Sequence, residues 1–141
     1  MYVIISGINR VSYQLGENFI AQGNEVTFID SNQHNVSFIE ETLGFLTILG
    51  NSYNKQTLLE SGIDRANYFI AAQSEDENNL VSCQLSKFIN PDIKTISIID
   101  RKLSSANCVG RWLTLNKAFT LKMVLLQRKI LKYLIAAPRI N

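Results

Sequence analysis

The stretch best suited to chemistry is Gly7-Ile8-Asn9-Arg10-Val11-Ser12, which follows the apolar run Tyr2-Val3-Ile4-Ile5-Ser6. A strand that turns on a glycine into a helix presents backbone N–H groups and the positive end of the helix dipole, and together these attract phosphate. The dinucleotide fingerprint for such a turn is G-x-G-x-x-G. Its first glycine makes the turn, the second lets the backbone approach a pyrophosphate, and the third lets helix and strand pack closely. Gly7 supplies the first position, while Asn9 and Ser12 replace the second and third. Asn tolerates a positive φ, but its side chain would project where phosphate should lie; Ser is small enough for the packing position. A tight turn that holds no ligand is the competing reading. Arg10 sits in the loop, placed either to touch a phosphate or to stand solvated in the first helical turn. Asp30 follows Ser12 by 18 residues. An acid at the end of the second strand accepts hydrogen bonds from a ribose, or is held by a helix N-terminus.

Other chemistry is sparse. The single histidine, His34, falls at the exposed start of a helix. No G-x-S-x-G elbow, H-E-x-x-H pair or Walker loop occurs, so no catalytic residues and no metal ligands are assigned. Glu75-Asp76-Glu77 reads as an exposed helix start rather than a metal site. A phosphoacceptor domain would need acids after the first and third strands, and Ser6-Gly7 and Leu49-Gly50-Asn51 supply none. Two cysteines, Cys83 and Cys108, make neither a disulfide framework nor a zinc site. They suit a reducing cytoplasm, with Cys83 in the core.

The elements that must position these residues alternate regularly. Strands are expected at Tyr2–Ser6, Glu25–Asp30, Phe45–Leu49, Tyr68–Ala72 and Thr95–Ile99. Helices are expected at Arg10–Gln22, from a Ser31 or Asn32 cap to Gly44, at Lys55–Ser61 and at Asp76–Ile89. Their apolar positions are Val11, Leu15, Phe19 and Ile20, then Val36, Ile39 and Leu43, then Leu58 and Leu59, then Leu80, Cys83, Leu85 and Phe88. Strands without clean alternation, linked through helices, imply a parallel sheet covered on both faces. The expected fold is therefore α/β, a Rossmann-like doubly wound sheet. Beyond residue 100 the pattern loosens, with a possible sixth strand over 117–120 and a C-terminal amphipathic crossover helix over 121–137 ending before Pro138.

The 141 residues suit one domain, 1–141, with a core over 1–100 and a basic helical segment over 101–141. A hydrophobic fraction of 46% excludes intrinsic disorder. No apolar run is long enough to span a membrane, and the start Met1-Tyr2-Val3-Ile4-Ile5 lacks the basic region of a signal peptide. The net charge of +2 conceals a division. Residues 1–100 hold five Lys/Arg against twelve Asp/Glu, a net of −7, whereas 101–141 hold nine Lys/Arg and no acid, a net of +9. Such sorting predicts an assembly surface, one protomer's basic tail meeting an acidic body or an anionic membrane face. Nothing else in the chain supports a nucleic-acid partner.

Several of these segments together resemble one family. They are Ile4-Ile5-Ser6-Gly7, Val26-Thr27-Phe28-Ile29-Asp30, Ile48-Leu49-Gly50-Asn51-Ser52, and Leu58-Leu59-Glu60-Ser61-Gly62-Ile63-Asp64-Arg65-Ala66-Asn67. The most specific is Ile70-Ala71-Ala72-Gln73-Ser74-Glu75-Asp76-Glu77-Asn78-Asn79-Leu80-Val81-Ser82-Cys83, an apolar strand, then D-E-x-N, then a helix with a cysteine. The chain resembles the RCK or KTN domain, the TrkA N-terminal-like regulatory domain of bacterial potassium uptake systems. Leu134-Ile135-Ala136-Ala137-Pro138 is similar to that family's final helix and exit.

The resemblance implies a cytoplasmic gating subunit, not an enzyme, peripheral to the inner membrane through a potassium channel or transporter partner. Such domains bind NAD(H) or ATP/ADP in the cleft, form a homodimer or higher ring, and couple ligand to the pore. By position, Gly7, Asn9, Arg10, Asp30, Asn51, Ala72 and Gln73 would face the nucleotide. The sequence departs from the family at Asn9 and Ser12 for glycine, at Asn51 for an Asp, and at Ile98 for an Arg of the fifth strand. The alternative is therefore a degenerate dimerisation module that has lost its nucleotide and carries no cofactor. The family's small C-terminal ligand domain is missing, which implies a lone N-terminal domain or a fragment. An NAD-dependent enzyme is disfavoured, since no room remains for a substrate domain and no acid–base pair is present. A membrane-surface role for the basic terminal helix is the remaining reading.

Overall fold

Five strands and four helices alternate along the described part of the chain, residues 1–99, in a computed structural model. The strands are β1 (Tyr2–Ser6), β2 (Glu25–Asp30), β3 (Leu46–Leu49), β4 (Tyr68–Ala71) and β5 (Lys94–Ser97). The helices are α1 (Arg10–Ala21), α2 (Gln33–Leu43), α3 (Lys55–Glu60) and α4 (Asp76–Ile89), and a short 3-10 turn covers Ile63–Arg65. Every strand pairing is parallel, and the order across the sheet is β3-β2-β1-β4-β5. The chain works outward from β1 to β3, then returns to lay β4 on the other side of β1. That reversal is the topological switch of a doubly wound sheet, outside whose strand carboxyl ends ligands bind. The expected fold over 1–99 is thus the observed one. The segment expected to form a sixth strand and crossover helix lies outside the described residues.

Burial explains why the strands read as unbroken apolar runs. All five residues of β1 are buried, with Val3, Ile4 and Ile5 wholly so. Each such side chain stabilises the fold by roughly 1.5–3 kcal/mol relative to exposure. Tyr2, Ile4, Ile29, Leu58, Ile63, Phe69, Cys83 and Ile93 form one continuous core cluster. The edge strand β3 keeps Leu46 and Leu49 exposed. Three asparagines start helices as their side chains accept backbone N–H groups: Asn9 from Val11 and Ser12, Asn32 from His34, and Asn54 from Gln56. No helix among the described residues is long and apolar enough to cross a membrane.

The helix faces differ from the apolar periodicity. α1 buries Ser12, Leu15 and Gly16 and leaves Val11 exposed. α4 buries Asp76, Asn79, Ser82, Cys83 and Ser86, while Phe88 is 78% exposed. Close approach to the sheet selects small side chains. A Cβ on Gly16 would lie 2.3 Å from the Phe28 Cζ. An expected exposed acidic run is also corrected: Glu75 and Glu77 are exposed, but Asp76 is buried. Element ends move slightly; β3 begins at Leu46, β4 ends at Ala71, and β5 ends before Ile98 and Ile99, both of them exposed.

Candidate functional site

A cleft of about 380 Å³ opens at the carboxyl ends of β1, β2, β3 and β4. The turns after these strands build it: Gly7–Asn9 after β1, Asp30–Asn32 after β2, Gly50 and Asn51 after β3, and Ala72–Glu75 after β4, with Asn35 from α2. Six of the seven residues expected at a ligand site, Gly7, Asn9, Asp30, Asn51, Ala72 and Gln73, share this wall. The seventh, Arg10, is exposed at the first turn of α1 and is not part of the lining. Its solvated reading is the one the geometry follows.

Gly7 is required twice over. Its φ of +89° favours a residue without Cβ, and a Cβ there would lie 2.7 Å from the backbone of Ala72 and Gln73. The β4–α4 turn therefore crosses directly over the glycine. Asp30 anchors the glycine turn after β1 from the other side. One carboxylate oxygen accepts the Ile8 N–H at 2.7 Å, and the other accepts the Asn32 N–H at 2.8 Å. A carboxylate has about four lone-pair sites, so capacity remains for a ligand hydroxyl.

Asn9 adopts a φ of −146°, so the positive φ tolerated by Asn is not used. Its Oδ1 accepts the Val11 and Ser12 N–H groups at 2.9 and 3.1 Å, and its Nδ2 donates to the Ala72 carbonyl at 2.6 Å. The Ser12 hydroxyl accepts the Asn9 N–H at 2.8 Å, completing a capping box. The two fingerprint departures thus act together. They occupy the amides that a pyrophosphate would use.

Gln73 is held from beneath by groups the sequence reading did not single out. Asn79, fully buried on α4, accepts the Gln73 N–H at 2.8 Å and donates to the carbonyls of Gln73 and Ile98, both at 2.9 Å. This last residue of the D-E-x-N stretch ties the turn to the end of β5. The Gln73 Nε2 donates to the Ser6 and Ser52 hydroxyls. Ser6 donates to Ser52 at 2.6 Å, Ser52 lies 2.8 Å from Ser82, and Ser82 donates to the Asn78 carbonyl at 2.6 Å. Each hydroxyl proton is then used once, provided Ser52 donates to Ser82. The readable signal for this network was the polar pair Asn79 and Ser82 at helical spacing. Apolar periodicity passes over such a pair.

The wall is electrostatically one-sided. Asp30 and Glu75 line it, and no Lys, Arg or His does so among the described residues. Cys83 is remote from this chemistry. Burial pushes its thiol up to about 12 and its Sγ faces the Ile96 carbonyl, so it is a core residue. The adenosine side of a nucleotide fits this wall through Asp30 and the asparagines.

A family model, the TrkA-N domain, matches residues 3–108. A Trk system potassium uptake protein TrkA homolog from Pyrococcus horikoshii is 31% identical over 96 residues, covering 68% of this chain and 42% of that protein. The chain thus matches less than half the length of that relative. Among solved structures, the TrkA-N domain of inner membrane protein ybaL from Escherichia coli superposes with a TM-score of 0.64 at 23% identity, over 68% of this chain and 70% of that one. The GsuK channel bound to NAD gives 0.65 at 18% identity, over 72% of this chain and 18% of that one. Those two likenesses speak to the fold. The match over residues 3–108 speaks to descent, and by it the chain belongs to the TrkA-N domain family.

Proposed function

We propose that this chain is a regulatory domain of a potassium channel or transporter, not an enzyme, and that its cleft binds an adenine nucleotide or NAD(H). The observation that carries the reading is the Gly7 turn crossed by the β4–α4 segment, with Asp30 facing it at the topological switch. In this reading Asp30 takes the ribose hydroxyls. Asn51, Ala72 and Gln73 form the wall beyond them, and Gly7 keeps the floor low enough for close approach. Gln73 and Asn79 link that wall to β5, so a ligand pressing on the turn moves the far edge of the sheet. Such movement is what a gating partner would sense. The chain would work in the cytoplasm as a homodimer or ring beneath its membrane partner.

Calorimetric titration of the chain with NADH, NAD, AMP, ADP and ATP tests the reading. Saturable heat supports it, and no heat at millimolar ligand refutes it. One observation favours a second reading, that of a dimerising module without ligand: Asn9 already satisfies the α1 amides. Size-exclusion chromatography with light scattering then discriminates, since that module must still self-associate.

A further inference from the structure

We infer that the cleft selects its ligand by charge, taking an adenosine-type nucleoside or its monophosphate and rejecting nucleoside polyphosphates. The inference rests on the nucleotide-cleft reading above and concerns which member of the class fits.

Three helices begin at this cleft, and each N-terminus is capped by a side chain or made acidic. The Val11 and Ser12 amides of α1 donate to Asn9, whose amide is itself tied to Ala72. At α2 the His34 amide donates to Asn32. α4 opens with Glu75, Asp76 and Glu77 at its cap and first turn, and Glu75 makes no side-chain cap bond. A helix N-terminus binds phosphate through unsatisfied amides and an uncompensated dipole. The Val11 and Ser12 amides of α1 are taken, and α2 and α4 begin beside the carboxylates of Asp30 and Glu75. The lining then adds the carboxylates of Asp30 and Glu75 with no cationic side chain among the described residues.

The remaining wall is amide and carboxylate: Asn32, Asn35, Asn51 and Gln73 with Asp30. Such groups recognise hydroxyls and a base edge, which are neutral donors and acceptors. A carboxylate beside a triphosphate is a like-charge contact in a partly desolvated site, a repulsive element against the wrong ligand. Asn9 plays a second part here. Its side chain stands in for the phosphate that a glycine-bearing turn would admit, so it fills the subsite from within the chain.

The test is calorimetric titration of the full chain with adenosine, AMP, ADP and ATP, in EDTA at fixed ionic strength, beside Asn9→Gly and Glu75→Gln. Gly is a tolerated N-cap, so the first variant keeps α1 and frees its amides. Circular dichroism verifies that both variants fold. The expected result is that adenosine or AMP binds and ATP binds at least about tenfold more weakly than AMP, the scale of one like-charge contact. Asn9→Gly should raise the affinity for ATP relative to adenosine about tenfold. Glu75→Gln should narrow the AMP-to-ATP gap. ATP binding as tightly as AMP to the wild-type chain overturns the charge selection and leaves the nucleotide reading standing. Folded variants that leave the ratio unmoved overturn it as well. Heat from none of these four, nor from NAD or NADH, refutes the nucleotide reading itself, and the selection with it.

Discussion

Ser52→Ala tests whether the hydroxyls beneath the cleft form one cooperative network. Ser52 is buried and is the hub: its Oγ accepts from Ser6 at 2.6 Å and from Gln73, and faces Ser82 at 2.8 Å. Alanine removes one oxygen and leaves almost no cavity, so the cost is polar. Ser82 keeps its bond to the Asn78 carbonyl, and Gln73 keeps its bond to Ser6. Ser6, itself buried, loses the acceptor of its O–H. One orphaned buried donor costs about 1–3 kcal/mol, and the lost bonds that have substitutes cost less. The expected destabilisation is about 2 kcal/mol. In urea, with a slope near 2 kcal/mol/M, the midpoint falls by about 1 M at unchanged slope. Ser6→Ala in the Ser52→Ala background removes that orphan but takes both acceptors from the Gln73 Nε2, so the double variant should depart from the sum of the singles by about 1 kcal/mol. Single-variant effects that add within about 0.5 kcal/mol, or a Ser52→Ala midpoint equal to wild type, would refute the network.

Four further outcomes are expected. Gly7→Ala forces a Cβ to 2.7 Å from the Ala72 and Gln73 backbone and should abolish ligand heat and lower the melting temperature; Gly23→Ala, also at positive φ but in open space, should cost only about 1–2 kcal/mol. Gly16→Ala sets a methyl 2.3 Å from the Phe28 ring, so overpacking of about 1–3 kcal/mol should exceed the gain in helix propensity, as read by urea unfolding. Cys83 titrates near 12 in the fold against an ordinary 9.0, so its contribution to stability should be full below pH 9 and lost as pH rises from 9 towards 12; thiol labelling at pH 8 should detect Cys83 only after unfolding. If the −7 body and +9 tail meet between protomers, self-association measured by light scattering should weaken as salt rises from about 0.05 to 0.5 M, and indifference to salt removes the electrostatic account.

Much of this protein was legible as pattern. Unbroken apolar strands ending at Gly7, Asp30 and Gly50, with helices between them, specify a parallel doubly wound sheet. Both faces must be covered, and the crossovers are right-handed. Gly7 and Asp30 were legible because strand ends at the switch point are where loops converge, whatever the side chains. Local rules also narrowed the α2 cap to Ser31 or Asn32 and placed the start of α4. What the tertiary structure decided was which polar atoms are already in use. That Asn9 caps α1 and reaches the Ala72 carbonyl depends on a β4 turn 63 residues away. That Ser6, Ser52 and Ser82 meet around Gln73 depends on three strand ends and a helix face coming together. Arg10 shows the converse: its neighbours in sequence point to phosphate, yet a helix turns its first residue outward. Sequence spacing fixes direction along one element. Contact between elements is set by packing, and it was packing that spent the amides a phosphate would need.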